Sequence, residues 1–252
     1  MKIIPLSEGS FTIDHTKIFL PFDTAKDDLQ QRARGSLLVE IQPFLVETKK
    51  DLILLDAGLG FSENGVLQLF NNLALYGYSP GDITMVLMSH LHRDHAGGIA
   101  VTDPFTGLSH LSFPHADYYI NEKELDFALH AGNASYDADR LSILEGNDKV
   151  QLVGDHGMIG GHVQYELSCG HSPFHQVFWI REDDEVVFFG GDEAPQLQQM
   201  KTRFVAKYDH DGKKAMELRQ KWWEIAAEEH WKILFYHDIK TPVYSTFEVK
   251  NQ

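Results

Sequence analysis

With a single cysteine, Cys169, among 252 residues, the chain cannot form an internal disulfide, so burial and hydrogen bonding must hold it together. No apolar run approaches the roughly 20 residues needed to span a bilayer. The opening stretch, MKIIPLSEGSFTIDHTK, has neither the apolar core nor the small-residue cleavage site of a secretory leader. The expectation is a cytoplasmic protein with no membrane partner. Cations are scarce: 22 Lys and Arg stand against 37 Asp and Glu, for a net charge of -15. The basic clusters are no longer than the pairs Lys49-Lys50 and Lys213-Lys214. That leaves no footprint for a phosphate backbone and argues against nucleic acid as a partner. The nine prolines are scattered and no low-complexity block marks a linker, so one domain over residues 1–252 is expected. Nothing in the sequence sets an oligomeric state.

With 43% hydrophobic and 23% charged residues, the composition is that of a globular domain with a substantial core. Strand-like runs occupy 2–5, 11–13, 36–48 and 51–60, and read as a meander on one sheet. A helix is expected over 66–76, capped by Gly77, and a strand over 83–88. Further strands are expected at 117–120, 150–153, 163–167, 177–180, 185–189 and 232–237, with helices at 122–130 and 138–144. The stretch 213–230 is amphipathic, with Ala215, Leu218, Trp222 and Ile225 on one face and Glu217 four residues before Lys221 on the other. Strands clustered in each half, with helices after them, predict two sheets packed face to face and covered by helices on both outer sides.

The strand at 83–88 runs into SHLHRDHAGG, which places His90, His92, Asp94 and His95 within six positions. A chain of this composition contains His-x-His-x-Asp-His by chance in only about four cases per thousand. Alternate residues of an extended segment project to one side, so His90, His92 and Asp94 can converge, and a turn after Asp94 brings His95 beside them. Three neutral imidazoles and a carboxylate suit a cation such as zinc. Three more candidates each end an apolar run: His171 after VQYELSCG, Asp192 after EVVFFGG and His237 after KILFY. Asp56, ending LILL, shares that placement and is assigned to orienting one imidazole by accepting its outer N–H.

In this order, with Asp56-x-Gly58 upstream, these residues resemble the metallo-β-lactamase-fold hydrolases over nearly the whole chain. The resemblance implies a four-layer αβ/βα sandwich, an α/β fold of two mixed sheets flanked by helices. It also implies a centre of two divalent metal ions, zinc first and manganese, iron or cobalt as alternatives. His90, His92 and His171 would hold one ion, Asp94, His95 and His237 the other, and Asp192 would bridge them. The segments SHLHRDHAGG, GHSPFH and FYHDI look most like the N-acyl-homoserine lactone lactonases. The implied reaction is hydrolysis of an ester-like bond, a lactone first, by attack of a metal-bridging hydroxide, with Asp94 passing the proton to the leaving group. The alternatives are a thioester hydrolase of the glyoxalase II type and a non-catalytic member that binds a small molecule.

The chain departs from the lactonase pattern at two places. It has Phe174 where relatives carry glycine, and Pro195 where lactonases carry a tyrosine three residues after the bridging aspartate. Tyr208, in AKYDHD, is either a substitute hydroxyl or a partly buried aromatic; His175 reads as a supporting residue and Cys169 as a small buried one. Segments 21–35 and 101–116 read as loops or lids at the metal edge. Phe22, Phe105, Phe113 and Tyr136 either line an acyl-binding groove or pack beneath those loops.

Overall fold

The structure, a computed structural model, describes residues 1–247. Two six-stranded sheets form its centre. The first orders Lys2–Pro5, Phe44–Glu47, Leu52–Leu55, Met85–Leu87, Asp117–Asn121 and Val150–Val153 across its width; the second orders His156–Ile159, Val163–Leu167, Gln176–Glu182, Glu185–Phe189, Lys232–Leu234 and Val243–Ser245. Both sheets are mixed.

The period-two alternation of the strands builds four layers. Phe44, Val46, Ile53, Leu55, Met85 and Leu87 face inward and meet Phe178, Ile180, Val187 and Phe189 of the other sheet. The intervening residues Leu45, Leu54 and Val86 face outward against Leu69 and Leu73 of helix Gln68–Leu75 and Leu125 of helix Glu122–His130. Val177, Trp179, Val186 and Phe188 cover the other outer face with Met200 and with Trp222 and Ala226 of helix Gly212–Glu229. Every strand central to a sheet is therefore apolar on both sides, at roughly 1.5–3 kcal/mol for each large side chain fully buried.

The first half is not one meander. Pro43 has no N–H to continue a ladder, and the run 36–48 breaks there. Leu37–Ile41 pairs with Gly9–Ile13, which also pairs with Leu20–Pro21, in a separate three-stranded sheet; Phe44–Glu47 joins the first large sheet. The helix expected from residue 66 starts at Gln68, because Val66–Leu67 pairs with Ser62–Glu63; Gly77, at φ +83°, does end it. Segment 101–116 is not all loop: Ala100–Thr102 pairs with Ser109–Leu111 around a turn held by Asp103. The last long run stops as a strand at Leu234, where the backbone N–H groups of Phe235 and His237 turn to Pro242 and Pro195. Edge strands His156–Ile159 and Val243–Ser245 and helix Leu197–Lys201 lacked a readable periodicity. On the long helix Glu217 pairs with Lys213 at 3.6 Å instead of Lys221, and its buried face carries Arg219 beside Ala215, Trp222 and Ala226.

Loop 57–60 packs against the motif itself. Ala57 N–H donates to His95 O at 2.7 Å and Gly97 N–H to Gly58 O at 2.8 Å, and a Cβ on Gly97 would overlap the Leu59 carbonyl. Buried Glu8 braces this loop by accepting the Leu59 N–H at 2.6 Å, and burial pushes its carboxyl up to about 8 from 4.5. A raised carboxyl contributes stability that is complete below the unfolded pKa and disappears as pH rises through the folded one. Urea titrations are therefore expected to show wild type losing up to about 4 kcal/mol, relative to Glu8→Gln, between pH 4.5 and 8. A stability difference between the two proteins that stays constant with pH would contradict this.

Candidate metal centre

Leu52–Leu55 and Met85–Leu87 run parallel, as do Glu185–Phe189 and Lys232–Leu234. Side chains just beyond their C-terminal ends therefore gather at shared edges of the sandwich. His90 and His92 lie on the link that leaves Met85–Leu87. His92 is still extended (φ -60°, ψ 154°), and the short helix Arg93–Ala96 then turns Asp94 and His95 toward the same place. His171 comes from the loop after Val163–Leu167, Asp192 from the 3-10 turn Gly191–Glu193, and His237 from the segment after Lys232–Leu234.

All seven side chains meet. Their donor atoms form three groups, each within 4.8 Å: His90, His92 and His171; His90, His95 and Asp192; and Asp94, His95 and His237. His92 Nδ1 is 2.9 Å from His90 Nε2 and 3.2 Å from His171 Nε2. The Asp192 carboxylate spans the centre: Oδ2 lies 3.2 Å from His171 Nε2, while Oδ1 lies 2.9 Å from His237 Nε2 and 3.1 Å from His95 Nε2. Asp94 Oδ2 is 3.5 Å from His237 Nε2 and 3.8 Å from His95 Nε2.

The outer ring nitrogens decide which atoms face inward. His95 Nδ1 meets Asp56 Oδ2 at 2.7 Å, His171 Nδ1 meets Asp209 Oδ1 at 2.9 Å, His237 Nδ1 meets the Glu40 carbonyl at 2.7 Å, and His90 Nδ1 meets Ser89 Oγ at 3.0 Å. An Nδ1–H donated outward leaves Nε2 as a bare lone pair. Bare nitrogens about 3 Å apart repel, and a shared cation turns that crowding into binding. His95 Nε2 and Asp192 Oδ1 are, moreover, buried without an aligned hydrogen-bond partner. The donor set thus fits divalent metal ions.

The ionisation pattern places positive charge on the Asp192 side of the centre, where a bound cation would displace the ring protons. Burial, with the charges of neighbouring histidines, pushes His90 and His92 well below the usual range and keeps them neutral. Burial also acts to lower His95, His171 and His237, but Asp192 is the main influence lifting all three. Asp192 in turn is held far below the carboxylate range, against burial, by His237, His95 and His171.

Several supporting residues gave no sequence signal. Asp209 lies in a loop without an apolar run before it. Glu124 lies in the first turn of helix Glu122–His130, yet its Oε1 accepts the N–H of Leu91, between two of the histidines, at 2.9 Å. Glu193 accepts the His171 N–H at 2.8 Å, and the Tyr236 ring stacks on His95 at 4.0 Å while its hydroxyl donates to Asp94 O. Arg219 donates to Glu193 O at 2.8 Å and Phe204 O at 2.7 Å. His175, expected from the sequence as a supporting residue, is wholly buried, and its Nε2 accepts the Asp192 N–H at 3.2 Å. Cys169 is half-buried, with φ +57°.

The centre opens into a cleft of about 680 Å³. Its walls include Ile13, Leu37 and Val39 from the three-stranded sheet and Phe19 from the link within it, with Phe127, Tyr136, Pro195 and Tyr208. Of the four aromatics considered for an acyl groove, only Tyr136 lines this cleft. Phe22 and Phe113 are buried, and Phe105 is 95% exposed on the 101–116 segment, none of which borders the cleft. From 21–35 only Gly35 contributes. Tyr208 has a half-exposed ring, and burial of its phenol raises that group to about 12. It is a neutral donor at the cleft wall, where Pro195 offers none.

The metallo-beta-lactamase superfamily model matches residues 40–237. The chain is 26% identical over 227 residues to the N-acyl homoserine lactonase AiiA of Bacillus thuringiensis subsp. kurstaki, covering 82% of this chain and 84% of that one. The structure superposes on a chain from Staphylococcus aureus with a TM-score of 0.77 at 23% identity, covering 97% of this chain and 91% of the other. It superposes on AidC, a dizinc quorum-quenching lactonase with N-hexanoyl-L-homoserine bound as product, with a TM-score of 0.71 at 22% identity, covering 96% and 88%. Matched over most of its length and similar to lactonases, the chain belongs to the metallo-beta-lactamase superfamily of hydrolases.

Proposed function

We propose that this protein hydrolyses an ester-like bond, a lactone first, with two divalent cations, zinc first. The observation that carries the reading is the Asp192 carboxylate, one oxygen turned to His171 and the other to His95 and His237. A carboxylate so placed can serve two ions: one held by His90, His92 and His171, the other by Asp94, His95 and His237. Such ions, when bound, supply Lewis acidity that polarises a carbonyl and brings the pKa of a shared water toward neutrality.

The chain's own residues do the rest. Asp94 lines the cleft, and the Tyr236 hydroxyl, 2.6 Å from its carbonyl, fixes its backbone; its carboxylate is assigned to carry the proton to the leaving alkoxide. Tyr208 is assigned to orient the substrate carbonyl as a neutral donor. Ile13, Phe19, Leu37 and Val39 give an apolar surface for the acyl portion. The named substrates of the curated relatives support the lactone reading. No helix among the described residues is long and apolar enough to cross a membrane.

The test is elemental analysis after metal loading, followed by a hydrolysis panel of lactones of varied acyl length, a glutathione thioester, a cephalosporin and an aryl phosphodiester. Two ions per chain, lactones cleaved fastest, and activity abolished by chelation and restored by metal are the expected results. Retained metal with no turnover of any substrate would replace this reading with the non-catalytic one.

A further inference from the structure

In a chain of net charge -15, the cleft above the candidate metal centre brings three cations beside its four aspartates, Asp14, Asp94, Asp192 and Asp209. Lys17, Arg93 and Lys207 all line it, from three separate elements. Lys17 comes from the turn after Gly9–Ile13, Arg93 from the start of the motif helix, and Lys207 from the segment before the long helix. Among the described residues, no carboxylate lies within 4.0 Å of any of the three, whereas Lys26, Lys49, Lys123 and Lys232 are each paired with an acid elsewhere on the surface.

The acidic groups of the same cleft are already engaged. Asp14 accepts the Thr16 N–H at 2.9 Å and the Thr16 hydroxyl at 2.6 Å; Asp209 accepts from His171; Asp94 and Asp192 face the histidines. Arg93 spends its Nε–H on the Tyr136 carbonyl at 3.3 Å, which aims the guanidinium while leaving its terminal donors uncommitted. Lys17 sits at φ +60°, a backbone region costly for any residue but glycine or asparagine. Lys17, Phe19 and Arg93 also line a second pocket of about 340 Å³, where Arg140 is paired with Asp137 at 3.9 Å and so adds no uncommitted charge.

We propose that the substrate carries an oxyanion, a carboxylate or phosphate, remote from the scissile bond, and that Lys17, Arg93 and Lys207 bind it. The inference deepens the hydrolase reading and rests on it for the scissile bond alone. Uncommitted cations in a cleft walled by low-dielectric side chains focus the field on an incoming anion, and a guanidinium fork matches both carboxylate and phosphate. A neutral acyl chain makes no use of them.

The test uses metal-loaded protein and esters of one length that end in a carboxylate, a phosphate or a neutral carboxamide. Wild type is expected to favour one of the anionic esters over the carboxamide by about tenfold in kcat/KM at low salt, the difference lying in KM. Lys17→Gln with Lys207→Gln, and separately Arg93→Gln, are expected to bring that ratio toward unity, as is raised ionic strength. The winning anion identifies the group. A ratio near one in wild type, or one that the substitutions leave intact, overturns the proposal.

Should no ester be cleaved, the hydrolase reading fails by itself, and calorimetry with glutarate and with 3-hydroxypropyl phosphate decides the binding question. Binding of either that weakens severalfold in the Lys17→Gln, Lys207→Gln protein supports the anion site. Absence of binding, or equal binding by both proteins, rejects it.

Discussion

Asp192→Asn is expected to lower kcat by at least about a thousandfold and to reduce metal content from two ions per chain to one or none. The substitution keeps the size of the side chain and removes its charge, and with it one of two oxygens facing opposite sides of the centre. Oδ2 is 3.2 Å from His171 Nε2, and Oδ1 is 2.9 Å from His237 Nε2. An amide can present oxygen to only one side; its NH2 confronts whatever the other side holds. The backbone of the turn is secured independently, through the Asp192 N–H to His175 and the Glu193 carbonyl to Arg219, so the circular dichroism spectrum should be retained. Two ions per chain with activity within tenfold of wild type would remove Asp192 from the bridging role.

Asp56→Asn, farther from the cleft, is expected to weaken metal affinity about 10- to 100-fold. Asp56 is fully buried, and its two oxygens accept from the Ser89 N–H, the Ser89 hydroxyl and His95 Nδ1, each at 2.7 Å. Asparagine tolerates the φ of +58° found there, so the backbone gives no reason for a loss. The effect comes through His95. With an NH2 opposite, His95 Nδ1 must become the acceptor, and the ring proton moves to Nε2, the atom that faces Asp192 and Asp94. A ring carrying its proton there has no lone pair to offer a cation. Competition with a chromophoric chelator measures the affinity, and the nitrogen NMR shifts of His95 report the tautomer. Unchanged affinity with Nδ1 still protonated would show that Asp56 acts only in packing. A stability cost of about 1–3 kcal/mol should accompany the change.

The parts of this centre legible in the sequence are those in which chemistry is dense or punctuated. His90, His92, Asp94 and His95 stand out because four donor residues share six positions, and His171, Asp192 and His237 because each ends an apolar run. Asp209 escapes because the loop before it has no such run, and its contact with His171 crosses 38 positions. Glu124 escapes because a glutamate at a helix start is ordinarily solvated, whereas this one turns inward to the Leu91 N–H. Arg219 breaks the amphipathic pattern of its own helix, since its partners, two backbone carbonyls, cannot be seen in residue types.

The layers follow the same logic. Alternation within 44–47, 52–55 and 85–87 gives two apolar faces for each strand, which predicts burial on both sides. Sheet membership depends on partners elsewhere in the chain. Phe44–Glu47 pairs with Lys2–Pro5 about forty residues upstream, while Leu37–Ile41, only two residues before it, joins another sheet. The break at Pro43 is visible, but not the side to which each half goes. Likewise the 101–116 hairpin is too short for its periodicity to register, and its distance from the cleft depends entirely on tertiary packing.

The two Arg219 bonds tether the turn that presents Asp192 to the stretch that leads to Lys207 and Tyr208. One wall of the cleft is thereby moored to the machinery, and changes there would disturb turnover and recognition together. Another part of the lining belongs to the small sheet around Ile13 and Leu37, whose outer turns, 14–17 and 23–35, lie mostly in solvent. A lineage exploring new substrates should therefore vary that flank first, exchanging its side chains while the moored one stays nearly fixed.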